Sequence, residues 1–261
     1  MGNFFLKMFT IIVCCSVPVF AEDHPENFPQ EFEMTSYGSF VNFRGVPNAL
    51  FFFEEIANED SFEFRKALRN HEIDTVVLWS NGGSVFEGLQ MAGIIHDRGL
   101  ATYVPEFGEC YSACSFMFFG GDTKISKGLL GVHQFSADEQ ASKETEQIGK
   151  TQEISQFTVS EIVGFLNEFK TPPWVFEKMF QQQEMYVFSK QELSRLETRS
   201  SNYDLKKLDE IGSFLTRLSD FMAEEACNED LKECSAEQLC ERSIKEDNWS
   251  ADIVAQPFVR E

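Results

Sequence analysis

Two side chains in the middle of the chain, Ser112 and His133, are of the types that carry out acyl transfer. Ser112 directly precedes an apolar stretch that predicts a helix, and His133 ends a short apolar stretch that predicts a strand. A serine hydroxyl becomes a nucleophile when a base removes its proton and donors stabilise the oxyanion that forms. The free N–H groups at a helix N-terminus supply such donors. The pattern therefore predicts a serine nucleophile with a histidine base.

A glycine pair, Gly82-Gly83, follows an apolar run and opens the next predicted helix. Glycine lets the backbone approach a ligand closely because it has no Cβ. The pair is therefore a candidate for the second oxyanion donor. A phosphate-binding loop is excluded because the lysine and Ser/Thr pair that such loops require are missing.

Each of these residues also has a purely structural interpretation. Ser112 could cap the helix, His133 could be a hydrogen-bonded structural residue, and the glycine pair could form a tight turn without a ligand. Ser115 is a competing serine, but its position one turn into an apolar helix predicts burial. The remaining histidines lie in the leader or beside charged neighbours: His24, His71 and His96.

The elements around these residues alternate between strands and helices with short connections. The predicted order is strand 74–79, helix 84–98, strand 100–104, helix 112–119 and strand 129–133. This alternation predicts an α/β fold with parallel strands. Ligands of such folds bind at the carboxyl ends of the strands, where the glycine pair, Ser112 and His133 all lie.

Further elements flank this core. The predictions are a strand or hairpin at 33–45, a helix over 48–70 interrupted near 58–60, a helix over 137–170, a strand at 185–188, a helix capped by Ser189 and a helix over 202–226. The chain contains no internal repeat and no low-complexity segment.

The segments LWSNGGSVFEGLQMAGIIHDRGLATYVPE, CYSACSFMFFGG and GVHQ together resemble the proteolytic subunit of Clp protease in the Clp/crotonase superfamily. They resemble its exported bacterial relatives more closely, and the resemblance covers residues 33–196. It implies a superhelix of stacked ββα units rather than an ordinary doubly wound sheet. It also implies Ser112 as nucleophile, His133 as base, and the N–H groups of Gly83 and Ala113 as the oxyanion hole.

The resemblance places the third catalytic residue, an acid, just before a short strand whose last serine caps a helix. The corresponding segment here is QQQEMYVFSKQEL, which contains no aspartate. Glu184 is the nearest carboxylate, offset by about one position, and is the predicted acid. Asp138 is the alternative.

The first 21 residues have the composition of a secretory signal peptide. Lys7 is their only charge, an apolar core follows it, and Val19-Phe20-Ala21 fits a cleavage site. The predicted organisation is signal peptide 1–21, leader 22–32, Clp/crotonase-like domain 33–200 and a helical, cysteine-bearing C-terminal extension 201–261. We therefore expect an exported, periplasmic protein, with secretion as the alternative and no stable membrane span.

Five of the seven cysteines lie outside the predicted signal peptide. Export permits disulfides, and the spacing of Cys110 and Cys114 is within the reach of one. The second predicted pair is Cys227 with Cys234, although connectivity cannot be read from a sequence. No CxxC motif is present and the chain has only four histidines, so a zinc site is not expected. The serine hydrolase interpretation requires no cofactor, and none is predicted.

The net charge is −21, and −22 without the signal peptide, so the chain repels nucleic acid and anionic lipid. The sequence therefore predicts an exported serine hydrolase that acts as a peptidase on peptides or proteins, with homo-oligomerisation left open. The alternative is a catalytically silent Clp-fold protein that binds a peptide or partner. An acyl-CoA enzyme is disfavoured, because coenzyme A is not expected outside the cytoplasm.

Overall fold

Three strands in the middle of the chain are buried along their whole length: β3 (Ala49–Phe52), β4 (Thr75–Leu78) and β5 (Ala101–Val104). Strands of such continuous apolar character form the centre of sheets that are covered on both faces. The computed structural model, which describes residues 28–134, 148–181 and 184–230, places them side by side and parallel.

These strands belong to a six-stranded sheet of order β1-β2-β3-β4-β5-β7. The outer strands β1 (Met34–Tyr37) and β2 (Phe40–Phe43) form a hairpin, and Gly38 in its turn has a φ of 56°. β2 runs antiparallel to β3, whereas β7 (Thr123–Ser126) runs parallel to β5. The sheet is therefore mixed, with the predicted parallel arrangement restricted to its last four strands.

Three helices cover one face of this sheet: α1 (Asp60–Asn70), α2 (Val85–Asp97) and α3 (Ala113–Gly120). Helices α2 and α3 pack closely because glycines stand where they touch. A Cβ built at Gly120 would lie 2.5 Å from the carbonyl oxygen of Ala92. The long helix α4 (Ile148–Glu168) and the shorter α5 (Pro173–Gln181) follow in the chain and contribute to the same apolar cluster.

The opposite face of the sheet is covered by α7 (Lys206–Asp230) and by a short 3₁₀ helix at Gln30–Phe32. Residues of α7 and of alternate strand positions form one apolar cluster that includes Phe43, Phe51, Val77, Tyr103 and Phe214. The main body is thus a three-layer α/β/α arrangement, and the segment predicted as a C-terminal extension supplies one of its layers.

A second, smaller sheet carries the candidate site. It consists of β6 (Glu109–Tyr111), β8 (Leu129–Val132) and β9 (Tyr186–Val187), in the order β6-β8-β9. β6 and β8 are parallel, and β9 is antiparallel to β8. After β9, Ser189 starts α6 (Lys190–Leu196) with a capping box that includes Glu192.

The prediction of an α/β protein is confirmed. The predicted helix over 48–70 is wrong in its first part, because residues 49–52 form the central strand β3 and the helix begins at Asp60. No helix within the described ranges is long and apolar enough to cross a membrane. The predicted signal peptide, residues 22–27 of the predicted leader and residues 231–261 lie outside those ranges, whereas the end of the leader forms the 3₁₀ helix Gln30–Phe32.

Candidate active site

The small sheet brings Ser112 and His133 together. Tyr111 of β6 pairs with Gly131 of β8, so Ser112 and His133 both follow the carboxyl ends of neighbouring parallel strands. The Nε2 atom of His133 lies 2.7 Å from the Oγ atom of Ser112, and both residues are half-buried. The sequence predicts this contact, and the structure contains it.

Ser112 adopts a backbone conformation that L-residues rarely take, with φ 54° and ψ −126°. The residue occupies the N-cap position of α3, but its side chain makes no capping hydrogen bond. The hydroxyl therefore contacts His133 rather than capping the N-terminus of α3, which argues against the purely structural interpretation. A strained turn that presents a hydroxyl in this way is a feature of serine nucleophiles in hydrolases.

The competing serine, Ser115, has a different role. It is fully buried in the first turn of α3, and its hydroxyl donates to the carbonyl oxygen of Ser112 at 2.6 Å. This hydrogen bond holds the Ser112 carbonyl, so Ser115 supports the turn and has no access to a substrate.

His133 is the only described histidine that contacts Ser112. His71 forms a hydrogen bond with the Tyr37 hydroxyl at 2.9 Å, and His96 packs against Phe169. The Nδ1 atom of His133 makes no hydrogen bond to any residue that the structure describes. For His133 to accept the Ser112 proton, Nε2 must be unprotonated and Nδ1 must carry the ring hydrogen.

The glycine turn packs directly against the nucleophile. Gly82 has a φ of 103°, and a Cβ built there would lie 2.7 Å from the Cβ of Ser112 and 3.0 Å from the nitrogen of Ala113. Gly83 has a φ of 131° and is exposed. Both residues therefore meet a backbone requirement that only glycine fulfils without strain.

The hydrogen bonds on either side of Gly83 leave its own N–H available. Gly82 accepts a hydrogen bond from the Ile56 nitrogen at 2.6 Å, and Ser84 donates to the Ile56 carbonyl at 2.9 Å. Neither the Gly83 N–H nor the Ala113 N–H has a hydrogen-bond partner among the described residues. Ala113 also begins α3, where the helix dipole favours negative charge. The two amides are thus suited to bind an oxyanion next to Ser112.

Ser80 is a structural residue of the site that the sequence analysis did not single out. It is buried, and its hydroxyl donates to the Glu54 carbonyl and accepts from the Gly82 N–H at 3.1 Å. Its backbone bridges to β6 through hydrogen bonds with Glu109 and Tyr111. Ser80 therefore ties the glycine turn to the strand that ends at the nucleophile. A serine between a buried strand and a glycine pair is the sequence signal that could have indicated it.

The predicted disulfide between Cys110 and Cys114 is confirmed, with a Cα–Cα distance of 5.3 Å. Both cysteines are fully buried, and Ser112 lies midway between them. Of the second predicted pair, Cys227 falls in α7 without a described side chain, and Cys234 lies outside the described residues.

The structure does not join the predicted acid to His133. The last pair of β8 and β9 is Val132 with Tyr186, and continuing this register by one residue beyond both strands would place Met185 opposite His133. Glu184 lies in a bend before β9, is exposed and makes no hydrogen bond to His133. The sulfur of Met185 approaches Gly131 on the face that carries His133. The alternative acid, Asp138, lies outside the described residues.

Tyr111, next to the nucleophile, remains neutral at physiological pH. Burial, followed by the nearby Glu109 carboxylate, raises the pKa of its hydroxyl to about 12. Within the described ranges, no group of three or more His, Cys, Asp and Glu side chains could hold a metal ion. The comparisons of this chain with protein-family models and with curated proteins find no match.

Proposed function

We propose that this protein is a serine hydrolase in which Ser112 is the nucleophile and His133 the general base. The 2.7 Å contact between Ser112 Oγ and His133 Nε2 carries the proposal. It is supported by the strained Ser112 backbone and by two amides without a described partner, that of Ala113, which follows Ser112, and that of Gly83, in the turn whose Gly82 packs against Ser112. Strain of this kind clusters at active sites, where the surrounding structure maintains it.

The reaction proceeds by acyl transfer. The Ser112 hydroxyl gives its proton to His133 as Oγ attacks a carbonyl carbon, and the carbonyl oxygen becomes an oxyanion held by the N–H groups of Gly83 and Ala113. When the tetrahedral intermediate collapses, His133 returns the proton to the leaving group. A water molecule then hydrolyses the acyl-enzyme with the same base.

We further propose a peptidase that acts on exported peptides or proteins. This part rests on the resemblance to the Clp-protease proteolytic subunit and on the signal-peptide composition of residues 1–21. The same resemblance supports the assignment of the stacked ββα arrangement. It also leaves open assembly of several copies.

A binding protein without catalytic activity is the second candidate, and one observation favours it. Met185, the residue just before β9, would lie opposite His133 if the β8–β9 register continued by one residue, and no described carboxylate contacts the His133 ring. Without an acid, the imidazole lacks the partner that fixes its tautomer and stabilises its charged form.

Labelling with a fluorophosphonate separates the two candidates, because this probe reacts only with an activated serine. We expect wild-type protein to gain one phosphonyl group on Ser112, located by peptide mass mapping. Ser112→Ala should abolish labelling, and His133→Ala should slow it by at least about 1,000-fold. Ser194→Ala, on the exposed side of α6, is the matched control and should label like wild type. Wild-type protein that is folded and unlabelled would support the binding protein instead.

A further inference from the structure

The Cys110–Cys114 disulfide encloses the nucleophile, and its position suggests more than a contribution to fold stability. We propose that this bond is a positioning clamp, which holds Ser112 in the conformation that reaches His133. The inference rests on the proposed function and adds to it a residue pair on which the reactivity of Ser112 depends.

The two ends of the clamp are fixed to different parts of the fold. Cys110 is the middle residue of β6, in register with Leu130 of β8 and bridged to Ser80. Cys114 is the second residue of α3, which packs against α2. The bond therefore fixes the start of the helix to the end of the strand, with Ser112 between them.

The Ser112 backbone requires such a restraint. A non-glycine residue at φ 54° and ψ −126° lies outside the favoured regions. Without a restraint, the cost of such a conformation lowers its population relative to a relaxed turn by about 5-fold to 150-fold. The turn persists only if its surroundings determine it. Three hydrogen bonds contribute: Ser112 donates its N–H to Gly131 at 3.1 Å, and its carbonyl accepts from the Ser115 N–H at 3.0 Å and from the Ser115 hydroxyl at 2.6 Å.

The next amide along the chain cannot contribute to this restraint. The N–H of Ala113 has to remain without an internal partner if it is to bind an oxyanion. A side-chain disulfide between Cys110 and Cys114 restrains the backbone on both sides of Ala113 and uses no backbone donor. The clamp therefore resolves a conflict between holding the turn and keeping its amide available.

The sequence separation of the two cysteines argues against a general stabilising role. The bond joins residues only four apart, and cross-links across such short loops restrict the unfolded chain less than long ones. Both cysteines are also fully buried in the main apolar cluster, rather than connecting distant surface segments.

The test uses a parent protein in which every cysteine except Cys110 and Cys114 is replaced by serine, so that one disulfide remains. A water-soluble phosphine reduces it: the phosphine is oxidised to its oxide, water supplies the oxygen and two protons, and two thiols form. The second-order rate constant of fluorophosphonate labelling is measured before and after reduction, together with circular dichroism and the melting temperature. Cys110→Ala/Cys114→Ala in the same parent is a second way of removing the bond.

We expect the labelling rate to fall at least about tenfold on reduction and in the double variant, while the circular dichroism spectrum is retained. The midpoint of the rate–pH profile should stay constant because the base is unchanged, and reoxidation should restore the rate. An unchanged rate in folded, reduced protein would overturn the clamp. Loss of the folded spectrum along with the labelling would also overturn it, since the bond would then be a fold staple. An oxidised parent that is not labelled at all would overturn the proposed function itself, and with it this inference.

Discussion

Strands β6 and β9 flank β8, and His133 follows directly after β8. The two flanking strands are built very differently. On one side, β6 leads into Ser112, whose turn is held by the disulfide, by hydrogen bonds from Ser112 and Ser115, and by close packing of Gly82. On the other side, β9 contains two residues, and the residue before it, Met185, would lie opposite His133 if the register continued by one residue. The β6 side of His133 is therefore held by many contacts, whereas the β9 side is held by a short strand pairing and presents an apolar side chain.

This difference indicates which part of the catalytic geometry the fold protects. The nucleophile and oxyanion donors must be positioned to within a fraction of an ångström, because small displacements cost large factors in rate. An orienting acid has a secondary effect, since the base can take the proton without it. The structure thus concentrates its restraints where the proposed chemistry is most sensitive to geometry.

Gly82→Ala should have the largest effect, because it acts on the restrained side. The new Cβ would contact both the Ser112 side chain and the Ala113 nitrogen, so the nucleophile turn has to move. We expect the fluorophosphonate labelling rate to fall about 100-fold or more, and the free energy of unfolding to fall by about 1–3 kcal/mol. Gly99→Ala is the control: its φ is 61°, but nothing lies within 4 Å, so stability should fall while labelling stays unchanged. Equal labelling rates for both variants would contradict the tight packing at Gly82.

Met185→Asp tests the other side by supplying the missing carboxylate. If the β8–β9 register continues by one residue, the new side chain lies opposite His133, where it can accept a hydrogen bond from the ring. We expect the labelling rate to rise about tenfold, since an acid that fixes the histidine tautomer is worth up to about 10⁴-fold in other enzymes. Val187→Asp is on the same face but pairs with Gly131, farther from the ring, and should not raise the rate. A rise of equal size in both variants would point to a general charge effect.

Ser80→Ala should have a moderate effect, because it loosens the glycine turn without touching the nucleophile. The buried Gly82 N–H and Glu54 carbonyl both lose a partner, so we expect a loss of about 1–3 kcal/mol in unfolding free energy. Labelling should slow by about tenfold or less. Ser126→Ala removes a buried hydroxyl that donates to Gly128 at 3.2 Å, away from the site. If Ser126→Ala slows labelling as much as Ser80→Ala, the link from Ser80 to the site is refuted.

Arg217→Ala should have the smallest effect, because Arg217 lies far from both sides of His133; it shows how much a surface substitution alone changes stability and labelling. Arg217 bonds to Glu31 on the surface at 2.8 Å and thereby lowers the pKa of that carboxyl. Exposed pairs contribute at most about 1 kcal/mol to stability. This contribution is present above the unfolded value of 4.5 and is lost as the pH falls through the folded pKa. Melting curves of the two proteins should therefore converge in acid, with labelling at pH 7 unaffected.

The sequence was sufficient to predict that Ser112 and His133 lie together, and to predict the strands and helices that carry them. The buried strand β4 and the helix α2 stand out as apolar runs bounded by glycines, and Ser112 and His133 fall at the ends of such runs. Local pattern is enough here because the end of each apolar run, which can be read from the sequence, is also the position of Ser112 or His133.

Other features depend on pairing between distant segments and could not be predicted from local pattern. Residues 49–52 fit a helical spacing as well as a strand, and only burial on both faces makes them the central strand β3. The placement of Met185 opposite His133 follows from continuing the register of β8 and β9, in which a shift of one residue would reverse the faces. Ser80 gains its importance from three segments that meet only in the folded protein.

Helix α7, which covers the back of the six-stranded sheet, is the last element of the described chain. During synthesis the sheet strands emerge well before it, so their apolar face has no cover until the residues around Phe214 follow. Premature termination before residue 206 would leave Phe43, Phe51 and Tyr103 facing water, a surface of the kind that drives aggregation. The order of elements along the chain thus makes late translation errors costly, although every residue of the catalytic site would already have been made.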